Sequence, residues 1–499
     1  MKIQNTRKRL FAQLSIAVLA VIVSGSLWAG GDDKQPNIIL ILADDLGYGD
    51  IGAYGNEVIQ TLNIDQLAHD GVQFDNGYVS HPTCSPSRAG LMTGRNQPRH
   101  GWEFNPAGRD RVVGMSTETP TIAERLKDEG YATALVGKWH LGSKKEHHPL
   151  SRGFDEFFGI LSGGSVFIDS DTPGVEYGSI AGEPAPSVPN NRFRGFEKVQ
   201  VEEYLTDRFT DEAIDFIERE KDNPFFLYLS HTTPHTPLQA TAEYLEPYKH
   251  IKDKRTRVYA AMVASLDESV GQVIETLREQ NLLENTMIVF TSDNGCAGYI
   301  RGACSNAPLS GHKRYHLEGG IRVPFILRWD QGTKTGDFEY PVSTLDLSAT
   351  FLAAAGGDGT TEDSVNLLPF INGQKKSAPH DYLYWKAGPT AAIRGDRWKL
   401  LRMARFNPQP ELERDAVGRL IPPKGGWVAA DLMAYDTFLY DLENDRSETT
   451  NLATHHPERV AELSALLDVW LEDAATDAII PPLRSRTAER HGNEYQLFF

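Results

Sequence analysis

The run Asn37-Ile38-Ile39-Leu40-Ile41-Leu42-Ala43 has no polar residue after its first, and it stops at the acidic pair Asp44-Asp45. A strand with one face in water alternates apolar and polar residues. A strand with no alternation is buried on both faces, as inside a parallel sheet covered by helices. Three more runs repeat the pattern. Tyr131 to Val136 leads into Gly137-Lys138-Trp139-His140, Phe225 to Ser230 into a turn carrying His235, and Met287 to Thr291 into Asp293-Asn294. Helical signals lie between them. Thr121-Ile122-Ala123-Glu124 is a capping box for a helix that stops at Gly130. A helix is expected from Glu202 to Arg219, and a shorter one from Asn63 to Asp70. Met262, Leu266, Val270, Val273, Ile274 and Leu277 recur at the helical period across 254–280. Strands alternating with helices predict an α/β fold, a large and mostly parallel sheet flanked by helices.

In open α/β sheets ligands bind beyond the carboxyl ends of the strands. Here four such ends carry Asp44 and Asp45, Lys138 and His140, His235, and Asp293 and Asn294, which predicts one shared site. Asp44, Asp45, Asp293 and Asn294 bring only oxygen donors, a set that suits Ca²⁺ or Mg²⁺ better than zinc. An aspartate pair alone more often closes a turn; the common position at strand ends is what points to a metal. Lys138, His140, His235 and Lys313 supply candidate positive and proton-transfer groups. Lys144, Lys145, His147, His148 and His231 read as solvated or structural.

The stretch Cys84-Ser85-Pro86-Ser87-Arg88, ending in Thr93-Gly94-Arg95, adds a nucleophile position. Pro86 suits a first helical turn, where its missing N–H costs nothing. A helix starting there turns its positive dipole end, and its free N–H groups, toward whatever lies beside Cys84. Arg88 falls one turn on, on the same face. A lone cysteine is more often a small buried apolar residue, but proline and arginine are poor company in an apolar core.

This stretch closely resembles the Cys-x-Pro-x-Arg…Thr-Gly-Arg motif of the formylglycine-dependent sulfatases, in the alkaline phosphatase superfamily. The resemblance extends over roughly 35–455. It implies that Cys84 is converted to Cα-formylglycine, whose hydrate is the nucleophile. It implies one Ca²⁺ held by Asp44, Asp45, Asp293 and Asn294, with the nucleophile at position 84 as a further ligand. Gly-Lys-Trp-His-Leu-Gly around Lys138 and His140, the His-x-Pro pattern at His235, and Lys313 five residues before Glu318-Gly319-Gly320 all match family positions. The implied roles are Arg88 holding the nucleophile, Lys138 and Lys313 neutralising sulfate, His235 as acid for the leaving alcohol and His140 as base for the second hydroxyl. The chain departs from the pattern at Ser310, Arg314 and Leu317, which implies a locally altered substrate pocket. The expected reaction is hydrolysis of sulfate esters on a carbohydrate. Two alternatives share the motif: a phosphoester hydrolase of the same superfamily, and a calcium-stabilised protein that only binds sulfated glycans.

A net charge of −18 argues against a nucleic-acid partner, which needs a basic footprint. Lys2, Arg7, Lys8 and Arg9, the apolar run Leu14 to Val23 and the small residues after it read as a signal peptide over 1–29. Export to the periplasm or beyond is expected, with no stable membrane insertion, and a formylglycine-generating or sulfatase-maturing enzyme is an implied partner. In an oxidising compartment two of the three cysteines, Cys296 and Cys304, pair, leaving Cys84 over. Residues 34–375 form the expected catalytic domain. From 376 to 499 short strand patterns at Tyr382 to Trp385, Ala391 to Ile393 and Trp398 to Leu401 predict a smaller antiparallel subdomain, closed by a helix over 457–474. The Gly-, Ser- and Pro-rich residues 161–200 read as a long surface insertion.

Overall fold

A computed structural model describes residues 35–106, 113–169, 171–178, 191–300, 302–406, 433–474, 485–491 and 493–498. The expected signal peptide, 1–29, lies outside them. The four apolar runs form β1 (Asn37–Ala43), β2 (Ala132–Lys138), β3 (Phe225–Ser230) and β4 (Thr286–Ser292). They are adjacent and parallel in the order β4-β1-β3-β2, at the centre of a ten-stranded mixed sheet. Ala43 lies level with Ser292, and Leu42 and Gly137 both pair with Ser230. All four strands therefore end on one line. Antiparallel pairings appear toward the margins, where Phe325–Arg328 joins β4 and a hairpin of Arg192–Arg194 and Glu197–Val199 adjoins Glu156–Ile160.

Strand residues alternate between two helical layers. Ile39, Ile41, Leu227, Leu229 and Phe290 pack with the helices Leu62–His69, Leu205–Glu220 and Lys254–Glu279. Leu40, Leu42, Phe226, Tyr228 and Val289 pack on the opposite face, with Leu91 and Met92 of the helix Cys84–Thr93, Ile122 and Leu126 of Ile122–Asp128, and Phe351 of Asp346–Ala354. Thr121 caps its helix with Glu124 reaching back, and Gly130 comes after it at a φ of 91°.

A four-stranded antiparallel sheet comes next in the chain, of Leu383–Ala387, Thr390–Arg394, Trp398–Phe406 and Met433–Asp441. Its third strand is longer than the pattern at Trp398 to Leu401 predicts, the fourth is not among the predicted strands, and the residues joining them, 407–432, fall outside those described. The helix Pro457–Ala474 packs Leu463 and Leu467 against one face. The other face meets the first part of the chain, where Trp385 donates its indole N–H to the Val79 carbonyl at 2.7 Å. Fully buried Lys399 lies between Glu318 (2.8 Å) and Glu448 (2.9 Å) at the same seam.

The region after residue 160 is not purely a surface insertion. Ser165, Phe167 and Ile168 are buried. Phe167 packs with Tyr204, so these residues join the core instead of looping into solvent. Among the described residues no helix is long and apolar enough to cross a membrane.

Candidate active site

The loops beyond the four strand ends converge in one buried cluster. Asp44, Asp45, Cys84, Arg88, Lys138, Asp293, Asn294 and Lys313 are all at most 4% exposed, and His140 is 7% exposed. Cys84 opens its helix, with Gly94 ending it in the left-handed conformation. Cys84 Sγ lies 3.7 Å from Asp44 Oδ1 and 3.8 Å from Asp45 Oδ1. Lys313 Nζ donates to that sulfur at 2.8 Å and to Asp45 Oδ1 at 2.5 Å. Lys138 Nζ donates to Asp44 Oδ2 at 2.6 Å. Arg88, one turn below Cys84, donates through Nε to Asp293 Oδ2 at 2.9 Å and through a terminal nitrogen to the Lys138 carbonyl at 3.1 Å. His235 sits at the opening, its Nε2 3.6 Å from Asp45 Oδ2. Its Nδ1 meets the Thr236 carbonyl at 2.6 Å, which places the proton on Nδ1. His140 Nδ1 is buried with no hydrogen-bond partner.

The first helical turn differs from the sequence expectation. The Ser85 N–H donates to Asn105 Oδ1 at 2.9 Å, the Ser87 N–H to the Thr83 carbonyl at 3.1 Å, and Pro86 has none. The turn therefore offers its dipole, not a fan of open donors. Two non-glycine residues of the site hold left-handed backbones, Asp45 at a φ of 69° and His140 at 61°. Such conformations persist only where the surroundings enforce them. At Asp45 its N–H donates to Asp293 Oδ1 at 3.2 Å.

Electrostatics separate the members. Burial pushes the Cys84 thiol up to about 12, with the Asp293 charge adding to it, so the side chain is a neutral thiol. A reactive thiolate needs the opposite surroundings. Burial raises Asp293, and the Asp44 charge raises it further. Asp45 is equally buried, yet Lys313, by its charge and its hydrogen bond, holds it well below the usual carboxylate range. Burial, with Lys138 second, keeps His140 well below the usual histidine range. Burial also takes His235 down to about 3, against the pull of Asp45.

The oxygen-rich set fits a divalent cation. Asn294 Oδ1 is buried with no partner, although Asn294 Nδ2 donates to Asp45 Oδ1 at 2.8 Å. An unmet buried acceptor among three carboxylates is what a hard cation satisfies. One ligand atom each from Asp44, Asp45, Cys84 and His235 lie within 4.8 Å of one another. Asp293 is turned toward Arg88.

Other residues join the cluster unannounced by any motif. Tyr299 donates its hydroxyl to Asp45 Oδ2 at 2.9 Å. Ser230 Oγ takes a hydrogen bond from Arg88 and passes its own proton to the Lys138 carbonyl at 2.7 Å. Ser85 Oγ donates to the His140 carbonyl at 2.6 Å. Ser230, a lone hydroxyl ending an apolar strand, did carry a signal; Tyr299, in the single 3₁₀ turn Gly298–Ile300, carried none. A disulfide joins Cys296 and Cys304, whose Cα atoms are 6.0 Å apart, on the loop between Asn294 and Lys313. Arg314 lies over the Tyr299 ring at 5.4 Å. His231 bonds to Ser269 within the core at 3.0 Å, and Lys144 and Lys145 are exposed.

Comparison with known proteins gives a consistent picture. Residues 36–357 match the family model described as Sulfatase. Human N-acetylgalactosamine-6-sulfatase is 35% identical over 367 residues, covering 69% of this chain and 67% of the relative. Human steryl-sulfatase is 34% identical over 426 residues, covering 70% and 72%. The solved structure of Ps i-CgsB in complex with k-i-k-neocarrahexaose superposes with a TM-score of 0.75 at 34% identity, covering 89% of this chain and 94% of that one.

Proposed function

Because the chain belongs to the formylglycine-dependent sulfatase family and is a sulfuric ester hydrolase, we propose that it desulfates a carbohydrate or polysaccharide fragment, using formylglycine made from Cys84 and one bound calcium ion. The observation that carries this reading is the surroundings of Cys84 Sγ. A buried, neutral thiol touches Lys313 and faces two carboxylates, in a cluster that also holds Arg88 and Lys138. That is an anion-transfer site with an unsuitable native nucleophile, which conversion to formylglycine would remedy. Carbohydrate as the substrate class is supported by the N-acetylgalactosamine-6-sulfatase relative and by the neocarrahexaose complex of Ps i-CgsB.

Asp44, Asp45, Asp293 and Asn294 would hold the calcium ion, which supplies positive charge beside the sulfate oxygens. Once Cys84 is oxidised and hydrated, one of its hydroxyls is the nucleophile toward sulfur and the other, deprotonated, lets sulfate leave and the aldehyde return. Lys138 and Lys313 neutralise the equatorial oxygens, fixed by Asp44 and Asp45 respectively. Asp293, its carboxyl raised by burial, takes the attacking hydroxyl's proton, and Arg88 fixes its orientation. His235 protonates the departing sugar oxygen. Burial keeps its ring neutral in the free protein, and the negative sulfate ester favours the imidazolium when it binds. His140, buried and neutral, accepts the second hydroxyl's proton.

The test is release of inorganic sulfate from defined sulfated oligosaccharides, beside matched phosphate esters. Turnover of sulfate esters well above phosphate esters is expected. The reverse preference would transfer the site to phosphoester chemistry.

A further inference from the structure

His140 is held differently from His235. Its Nδ1 is buried without a partner, and its backbone sits at a φ of 61°. No hydrogen bond from Nδ1 sets the ring's tilt, so packing must. Gly163 supplies that packing. A Cβ placed on Gly163 would lie 2.7 Å from both Cε1 and Nε2 of His140, far inside ordinary contact. The neighbouring Gly164 faces His235 at a relaxed distance, where its Cβ would meet Nδ1 at 3.5 Å. Neither glycine has a positive φ, so alanine suits the backbone at both.

We infer that Gly163 is a positioning residue. Its bare Cα leaves the space that the His140 ring occupies, and a Cβ there would displace the ring. The clash concerns the far end of a side chain, so an added methyl would be relieved by moving the imidazole tip rather than by unfolding. The site would then lose geometry and keep its stability. This rests on the role proposed for His140. It assigns to the segment after Glu156–Ile160 a part in catalysis that no side chain there announces.

A double-mutant cycle tests it, with formylglycine content equalised among the variants. Misplacing a catalytic group by about 1 Å can cost up to about 10²-fold in rate. Gly163→Ala should therefore lower kcat on a sulfated sugar by roughly 10- to 100-fold, with Gly164→Ala changing it less than about twofold. In a His140→Ala background the same Gly163→Ala change should cost less than about twofold, because the group it displaces is gone. Equal losses in both backgrounds, or no loss in either, overturn the inference. The imidazole Cε1–Hε1 NMR signal of His140, assigned by its absence in His140→Ala, should shift in Gly163→Ala and stay in Gly164→Ala. If His140→Ala itself keeps full activity, the role proposed for His140 fails, and this signal alone decides whether Gly163 positions the ring. If Gly163→Ala does not fold, His140→Ala should restore folding; failure to restore it overturns the contact.

Discussion

Replacing His235 with alanine separates acid catalysis from simple anion binding. The ring lines the opening, its side chain 18% exposed, and it makes one hydrogen bond, to its neighbour's carbonyl. Removing it opens no sealed core, so stability should hold. A sugar alkoxide is a poor leaving group and needs a proton as the S–O bond breaks; nitrophenolate departs without one. General-acid help is typically about 10²–10⁴ in rate, or about 3–5 kcal/mol of barrier. On a sugar sulfate His235→Ala should lose that factor in kcat/KM. On nitrophenyl sulfate only the imidazole's electrostatic contact with the ester is lost. At a half-open position next to Asp45 that is about tenfold or less, near the 1.4 kcal/mol of one pKa unit. The assay is kcat/KM of mutant and wild type on the two esters at one pH. Equal losses on both would mean that His235 binds sulfate and donates no proton to the leaving group.

Three further outcomes are expected. Asp293→Ala should abolish turnover and weaken calcium binding by calorimetry, and should lower stability by removing the nearer carboxylate of Arg88, which keeps only Asp44 at 3.8 Å; near-native activity would misplace the metal. Glu448 is raised to about 7 by burial, with Lys399 opposing and Glu318 adding to the rise, from an ordinary value of 4.5. An acid raised on folding stabilises below its unfolded value and loses that contribution as pH climbs to the folded one. Glu448→Gln should therefore remove a decline in stability between pH 4.5 and about 7, worth about 3 kcal/mol at most, read by denaturant titration. Cys296→Ser with Cys304→Ser opens a loop of sequence separation 8 and should cost about 2–3 kcal/mol in urea unfolding.

What the sequence made legible was local. Apolar runs announced β1 to β4 because a strand buried on both faces has no choice of composition. Their polar endings announced the site because adjacent parallel strands finish together. Spatial order was not legible: nothing in Phe225–Ser230 says that it lies between Asn37–Ala43 and Ala132–Lys138. Nor does a sequence show which groups already have partners. The Ser85 N–H reads as open in the sequence, yet Asn105, twenty residues on, lies against it. Lys399 reads as an ordinary strand lysine, and its two carboxylates come from positions 318 and 448. Gly163 contributes by lacking a side chain, which no motif for polar chemistry can register.

Position 84 decides the chemistry, and mass spectrometry of the tryptic peptide that contains it is the most direct test. Burial pushes the thiol up to about 12, the reverse of what a reactive thiolate needs. Unmodified Cys84 should therefore be nearly inert. Protein made with a formylglycine-generating or sulfatase-maturing enzyme should show the aldehyde in place of the thiol, with specific activity proportional to the aldehyde fraction and none in Cys84→Ala. Full activity from protein whose residue 84 is wholly cysteine would contradict a formylglycine nucleophile.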